Sequence, residues 1–204
     1  MKIVNAGFEI MDPLNGEEIL RKIERVARVC YKSEDKITTG SAEKMVRGLI
    51  KRGHEAMLEH FSFSVKFTVD RGVSHELVRH RIASFAQEST RYCNYSKDKF
   101  GNEVTFIIPC WLNIPNSSTY TPQEISLLHK EEDIQLYLHG LSHSEFYYFN
   151  LLEQGWKPQQ AREVLPLNTA TELIHTAFVS DWKHFFDLRT AHGAHPQAQE
   201  LAIP

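Results

Sequence analysis

Arg79, His80 and Arg81 stand in unbroken series, and Ser84, Gln87, Ser89 and Arg91 follow within the next ten residues. A guanidinium is a planar fork that matches a pair of phosphate oxygens, and serine hydroxyls and free backbone N–H groups add neutral donors. This set therefore reads as a cradle for an anion. Successive residues of a regular helix point about 100° apart, so three consecutive cationic side chains cannot share one face. If all three work, they stand at a helix end and address different parts of a large ligand, or different subunits. The competing reading is an exposed turn of solvated charges, and spacing alone leaves both open.

Further side chains have chemistry to offer. His54 and His60 flank an apolar turn, where a planar ring can stack on a ligand or simply pack. Arg162 stands near the start of a helix, and Arg189 follows Leu188 at a helix C-terminus, where the dipole favours a cation in any case. Cys93 lies four residues past Ser89. Beside Arg91 its thiolate would be favoured. His192 and His195 have no carboxylate or cysteine at ligand spacing, so no metal centre is expected. Phe146, Tyr147, Tyr148 and Phe149 read as core plus subunit interface.

Positioning these groups requires a framework. Lys2–Met11 reads as one strand, and Gly16–Lys32 as a helix. A second helix spans residues 41–52, with Ser41 as its N-cap and Gly53 as its stop. Phe61, Phe63, Val65, Phe67 and Val69 alternate with Ser62, Ser64, Lys66 and Thr68, the pattern of an antiparallel strand with one wet face. Ser74 is expected to cap a short helix over 74–83 that carries the Arg-His-Arg run, with the serines in a loop behind it. Val104–Pro109 is a further strand. Pro122–Gln154 is helical, with Gly140 as the point of any bend. Pro158 opens the helix of Arg162, threonine-rich 168–178 is a strand, and Ser180 caps a last helix that buries Trp182, Phe185 and Phe186. The expectation is an α+β fold with an antiparallel-rich sheet of about four strands and about six helices, in a single domain over 1–204.

The totals limit the partners. The chain has 204 residues, enough to bury about 70% of its unfolded surface. A net charge of −3 argues against a general grip on nucleic acid, so any anion site must be local. There is no signal-peptide layout and no apolar run of membrane length. Cys30, Cys93 and Cys110 fit no zinc spacing and suit a reducing cytoplasm.

The Arg-His-Arg run, followed after seven residues by Ser89, resembles the signature of the flavin-dependent thymidylate synthases. The likeness extends through RGHEAMLEHFSFSVKFTVDRGVSHELVRHR, AREVLPLNTATE and FFDLRTAHGAHPQ, in that order along the chain. What it implies is conversion of dUMP to dTMP, with methylenetetrahydrofolate supplying the carbon and NADPH the reducing equivalents through FAD. It further implies a homotetramer with active sites shared between chains. The resemblance assigns FAD to His54, Ala56, Arg79, His80, Arg81, Gln87 and His184. It assigns dUMP to Glu76, Leu77, Val78 and Arg79, to Gln87, Glu88, Ser89, Thr90 and Arg91, and to Arg162 from a neighbouring chain. Arg189 would reach the pyrimidine as the catalytic residue. A nucleophilic Cys93 has no counterpart in the motif. Ala86 stands where many members have asparagine and Glu76 where many have glutamine. Phe178, Ser180 and His184 also depart from the usual pattern. The alternative is a degenerate member that binds dUMP or another nucleotide without catalysis; a nucleotide- or RNA-binding module is opposed by the charge balance.

Overall fold

The alternation through Phe63–Val69 produces a long strand in the computed structural model, which describes residues 1–204. This strand, Ser62–Asp70, is the third in the chain (β3). The first two are β1 (Lys2–Val4) and β2 (Gly7–Ile10); they are followed by helices α1 (Gly16–Val29) and α2 (Ser41–Lys51). After β3 come α3 (Arg71–Leu77), β4 (Ala83–Gln87), β5 (Thr105–Ile107) and β6 (Ser118–Thr119). Helices α4 (Pro122–Leu128), α5 (Glu132–Glu153) and α6 (Pro158–Ala161) precede β7 (Ala170–Phe178), α7 (Val179–Arg189) and α8 (Pro196–Ala202).

The main sheet has the order β2-β3-β7-β4, antiparallel throughout. Its inner face sets Val65, Phe67 and Val69 beside Leu173 and Ala177, and Val73, Leu77, Trp182 and Phe185 from α3 and α7 cover them. The outer face is polar: Ser64 and Thr176 share a hydroxyl hydrogen bond of 2.8 Å, and Lys66 pairs with Glu9 at 2.9 Å. The second sheet, β5-β1-β6, packs Ile3 and Phe106 against Leu138, Leu141 and Tyr148 of α5. A third cluster joins α1, α2 and the 3-10 turn Glu55–His60 through Ile23, Val46, Leu49 and Leu58. The α+β expectation holds, with a second sheet beside the four-stranded one.

Several local expectations are corrected. Lys2–Met11 is two strands in two sheets; the chain turns at Asn5, whose N–H donates to the Asn116 side chain at 2.8 Å instead of to a strand. The N-cap of α2 is Gly40 at φ 79°, while the Ser41 hydroxyl donates to buried Glu24 at 3.0 Å. The helix that Ser74 was to cap starts at Arg71, because the Asp70 carboxylate accepts from Val73 N–H at 2.6 Å. It ends at Leu77, so the Arg-His-Arg run lies outside it. Residues 83–87 are a strand and not a loop: Ala83, Phe85 and Gln87 face inward and Ser84 and Ala86 outward, a period of two that short length disguises. The long helical stretch breaks at His129 and not at Gly140. The His129 ring is held by Tyr120 OH at 3.1 Å and its carbonyl accepts from Gln135 at 2.7 Å, which fixes an extended residue between α4 and α5. The α6 helix stops at Ala161, one residue before Arg162. Ser180 lies inside α7 with its hydroxyl buried and unpartnered, and Phe186 is 44% exposed. Strand β6 and helix α8 were not anticipated.

Candidate functional site

Asp70 closes β3 and caps α3 with the same carboxylate, and buried Gln197 of α8 donates to its other oxygen at 2.8 Å. The strand-to-helix corner is thereby fixed, and with it the place where α3 ends. The Arg79 and His80 N–H groups donate back to Glu76 and Leu77 carbonyls, closing a tight turn at the helix C-terminus. Ile82 follows at φ 63° with its side chain 75% exposed. A β-branched residue in the left-handed region is strained. Arg79 and Arg81 are exposed while His80 is buried, so the three side chains do diverge beyond a helix end.

Arg79 and Arg81 are exposed and form no ion pair within the chain. His80 is buried. Its Nε2 accepts from Arg189 Nε at 3.0 Å, which puts the ring proton on Nδ1, a buried atom with no partner. Burial, then the charge of Arg189, then His184, lower the His80 pKa to about 4. At neutral pH it is an uncharged acceptor. Arg189 meets the end of α3 with its whole fork: Nη1 donates to the Glu76 carboxylate and Nη2 to the Glu76 carbonyl at 2.7 Å. An arginine has five N–H groups, so one remains free on each terminal nitrogen. His184 of α7 stands 5.9 Å from the His80 ring.

Behind this group lies His175 of β7, buried to 1%, with its ring 4.6 Å from Phe85 and 4.4 Å from Trp182. Burial first, and then His80, lower its pKa to about 4 as well. The sequence carried a sign of it: a histidine at an inward position of a buried strand has little water to share.

Strand β4 leads from the turn to the second half of the motif. The Gln87 amide donates to Ser74 at 2.9 Å and Thr171 at 3.3 Å, tying β4 to α3 and β7. The Glu88 carboxylate accepts from Tyr95 at 2.8 Å, and its carbonyl accepts from Arg71 at 3.3 Å. Ser89 begins a tight turn in which its hydroxyl accepts from Arg91 N–H at 3.3 Å and its carbonyl from Cys93 N–H at 2.8 Å. Arg162 reaches this turn in its own chain, donating to buried Thr90 at 3.1 Å. Arg91 is exposed over the Tyr92 ring. Burial and the Glu88 charge push the Cys93 thiol up, opposite to what a nucleophile needs.

Leu77 is core and Val78 caps the end of α3, so neither offers a polar side chain. His54 and Ala56 are not in this cluster. They line a separate cavity of about 260 Å³ with Ala27, Cys30, Leu49 and Met57. His195 accepts from Gln197 N–H as the N-cap of α8.

A helix end that presents outward arginines, joined by an edge strand to a serine-arginine turn, sets the donor types that suit an anion on an α+β framework. Residues 15–204 match the family of the thymidylate synthase complementing protein, Thy1, and the chain belongs to that family. Relatives named flavin-dependent thymidylate synthase include one from Geobacter sulfurreducens, 29% identical over 87% of this chain and 71% of its own length. Another, from Pyrococcus furiosus, is 32% identical over 83% of this chain. The match spans 63% of that relative, less than two thirds of its length. A protein of Paramecium bursaria Chlorella virus 1, named probable flavin-dependent thymidylate synthase, is 24% identical over 98% of this chain and 89% of its own.

Proposed function

We propose that this chain, acting as one domain over 1–204, is a flavin-dependent thymidylate synthase that converts dUMP to dTMP. Methylenetetrahydrofolate would donate the carbon and NADPH the electrons. The observation that carries the reading is the Arg189 fork, held by Glu76 and neutral His80 with two N–H groups left over, at the end of the helix that presents Arg79 and Arg81.

The donor set fits FAD. Two unpaired guanidinium groups suit a diphosphate, and the mostly apolar cavity beside His54 and Ala56 suits a planar ring. His80 is the exception, since its side chain faces the core; its contribution is to hold Arg189. Arg79, Arg81, His54 and Ala56 would hold the cofactor, with His184 near, and Gln87 would brace β4 behind them. When bound, the flavin supplies hydride chemistry. The chain's own residues do the rest. Ser89, Arg91 and Arg162 would bind the nucleotide phosphate on a turn that β4 holds in place. Arg189 would direct its two remaining N–H groups at the uracil oxygens. Negative charge that develops there as C5 becomes nucleophilic is then met by fixed donors. The raised Cys93 pKa favours a route without a thiolate.

No helix is long and apolar enough to cross a membrane, and a cytoplasmic site of action is part of the proposal. So is a homo-oligomer, a tetramer in the fullest form, because His54 lies in a cavity separate from the arginine turn and a second chain would bring such halves together. The deciding experiment incubates the purified protein with FAD, dUMP, methylenetetrahydrofolate and NADPH. Formation of dTMP that requires all four is expected. A protein that binds FAD and dUMP and forms no dTMP would be the degenerate member; one that binds neither would end the reading.

A further inference from the structure

The α2 helix carries a glycine at position 48, inside its span, where glycine is destabilising relative to alanine. Its neighbour explains it. A Cβ built on Gly48 would lie 3.2 Å from Arg52 Nη1 and 3.7 Å from Arg52 Cζ. The Arg52 guanidinium is folded back over the helix into the space that glycine leaves.

That guanidinium helps to line a cavity of about 610 Å³ between α2, the end of α1 and the 36–41 turn. Arg28, Lys36, Lys44 and Arg52 all line it, and no carboxylate does. Arg28 is a strut: it pairs with buried Glu24 at 2.8 Å and donates to the Lys36 carbonyl at 3.2 Å, which ties the turn down. Lys36, Lys44 and Arg52 make no ion pair or side-chain hydrogen bond in the chain. Thr39 lines the cavity beside them. In a chain of net charge −3, three exposed, unpaired cations line one concavity. Their mutual repulsion is relieved by a compact, multiply charged anion.

The cavity has no lining residue in common with the one beside His54, although helices α1 and α2 contribute to both. Gly48 and Arg52 line the basic cavity and Leu49 the apolar one; Arg28 lines the first, Ala27 and Cys30 the second. We propose that the basic cavity binds a terminal phosphomonoester, and specifically the 2′-phosphate of the nicotinamide nucleotide that reduces the flavin. This rests on the proposed reaction for the ligand's identity. The nucleotide substrate's phosphate and the flavin's diphosphate have their own arginines elsewhere, and the folate carries carboxylates only.

The test is binding to the full chain without any turnover. Adenosine 2′,5′-bisphosphate is titrated calorimetrically against AMP, which lacks the 2′-phosphate. The wild-type protein should bind the bisphosphate the more tightly. Lys44→Ala with Arg52→Gln should weaken the bisphosphate by about ten- to a hundred-fold, the range for losing charge-assisted contacts, and leave AMP unchanged. Gly48→Ala should weaken it too, while raising helix stability, a combination that no merely structural role predicts. Equal affinity for the two nucleotides in wild type, or equal losses for both in the variant, would overturn the proposal. A loss of pteroyltriglutamate binding with the bisphosphate unaffected would also overturn it, assigning the cavity to folate carboxylates. Because the readout needs neither dUMP nor dTMP formation, failure of the proposed reaction with a positive titration here would leave a phosphate site standing on its own.

Discussion

Replacing His175 with phenylalanine should make the protein more acid-stable. His175 and His80 are both buried, their rings 6.2 Å apart, and each has its pKa lowered from 6.5 to about 4. The unfolded chain takes up these protons near pH 6.5, whereas the folded chain resists them until about pH 4. The stabilisation is therefore complete above the unfolded value and is lost as pH falls towards the folded one. Roughly 1.5 pH units below the unfolded value, at pH 5, each histidine costs about 2 kcal/mol. The pair then lowers Tm by about 8–16 °C at 2–4 °C per kcal/mol. Asp181 and Glu200, whose carboxyls are pushed up by burial, act in the opposite sense, so wild type alone is a poor gauge. The difference between wild type and His175→Phe isolates one histidine. Between pH 7.5 and pH 5.0 that difference should shift by about 2 kcal/mol, or about 4–8 °C in Tm, in favour of the variant. Calorimetry at the two pH values measures it. Parallel curves for the two proteins would show that His175 titrates normally and that the buried neutral pair is wrong.

Arg189→Lys removes the fork that meets Glu76 and His80, and single-turnover dTMP formation from pre-reduced enzyme should fall at least about tenfold; a wild-type rate would reduce Arg189 to a helix-end cation. Glu76→Gln leaves Arg189 with a net charge and should tighten dUMP binding about three- to tenfold in a calorimetric titration, and weaker binding would contradict the assignment. Cys93→Ala should keep most of its activity, whereas a drop below about a thousandth with the fold intact would indicate covalent catalysis. Asp70→Ala removes both a helix cap and the partner of buried Gln197, and should cost about 2–4 kcal/mol in urea unfolding; a loss below about 1 kcal/mol would show that the corner holds without it.

Much of the framework was legible because its signals are periodic. The alternation in β3 and β7 reads directly, as do the apolar stripes of α1 and α2. What misled was punctuation. Ser41, Ser74 and Ser180 all looked like caps, yet each lies inside its helix. Gly40 and Asp70 hold the first two cap positions, because tertiary partners, buried Glu24 for Ser41 and Gln87 for Ser74, claim the hydroxyls. Strand β4 was hidden since five residues with one large apolar side chain, Phe85, carry almost no period. In the candidate site the residue types were readable and their directions were not. Nothing in Arg79-His80-Arg81 says that the middle side chain faces the core; there it meets Arg189, 109 residues away.

The partners of β3 set a timetable for the nascent chain. Its longest pairing is with β7, where Ser62 meets Phe178 and Asp70 meets Ala170. A ribosome adding about 5–20 residues per second needs roughly 5–20 s to make the intervening stretch of about 100 residues. Throughout that interval Phe63, Val65, Phe67 and Val69 form an apolar strand face that only the short β2 can flank. The central strand of the finished sheet is thus, during synthesis, an open edge with nothing across from it. Losses of yield on overexpression should begin there, and a holdase that recognises extended apolar segments would find its binding site in 62–70.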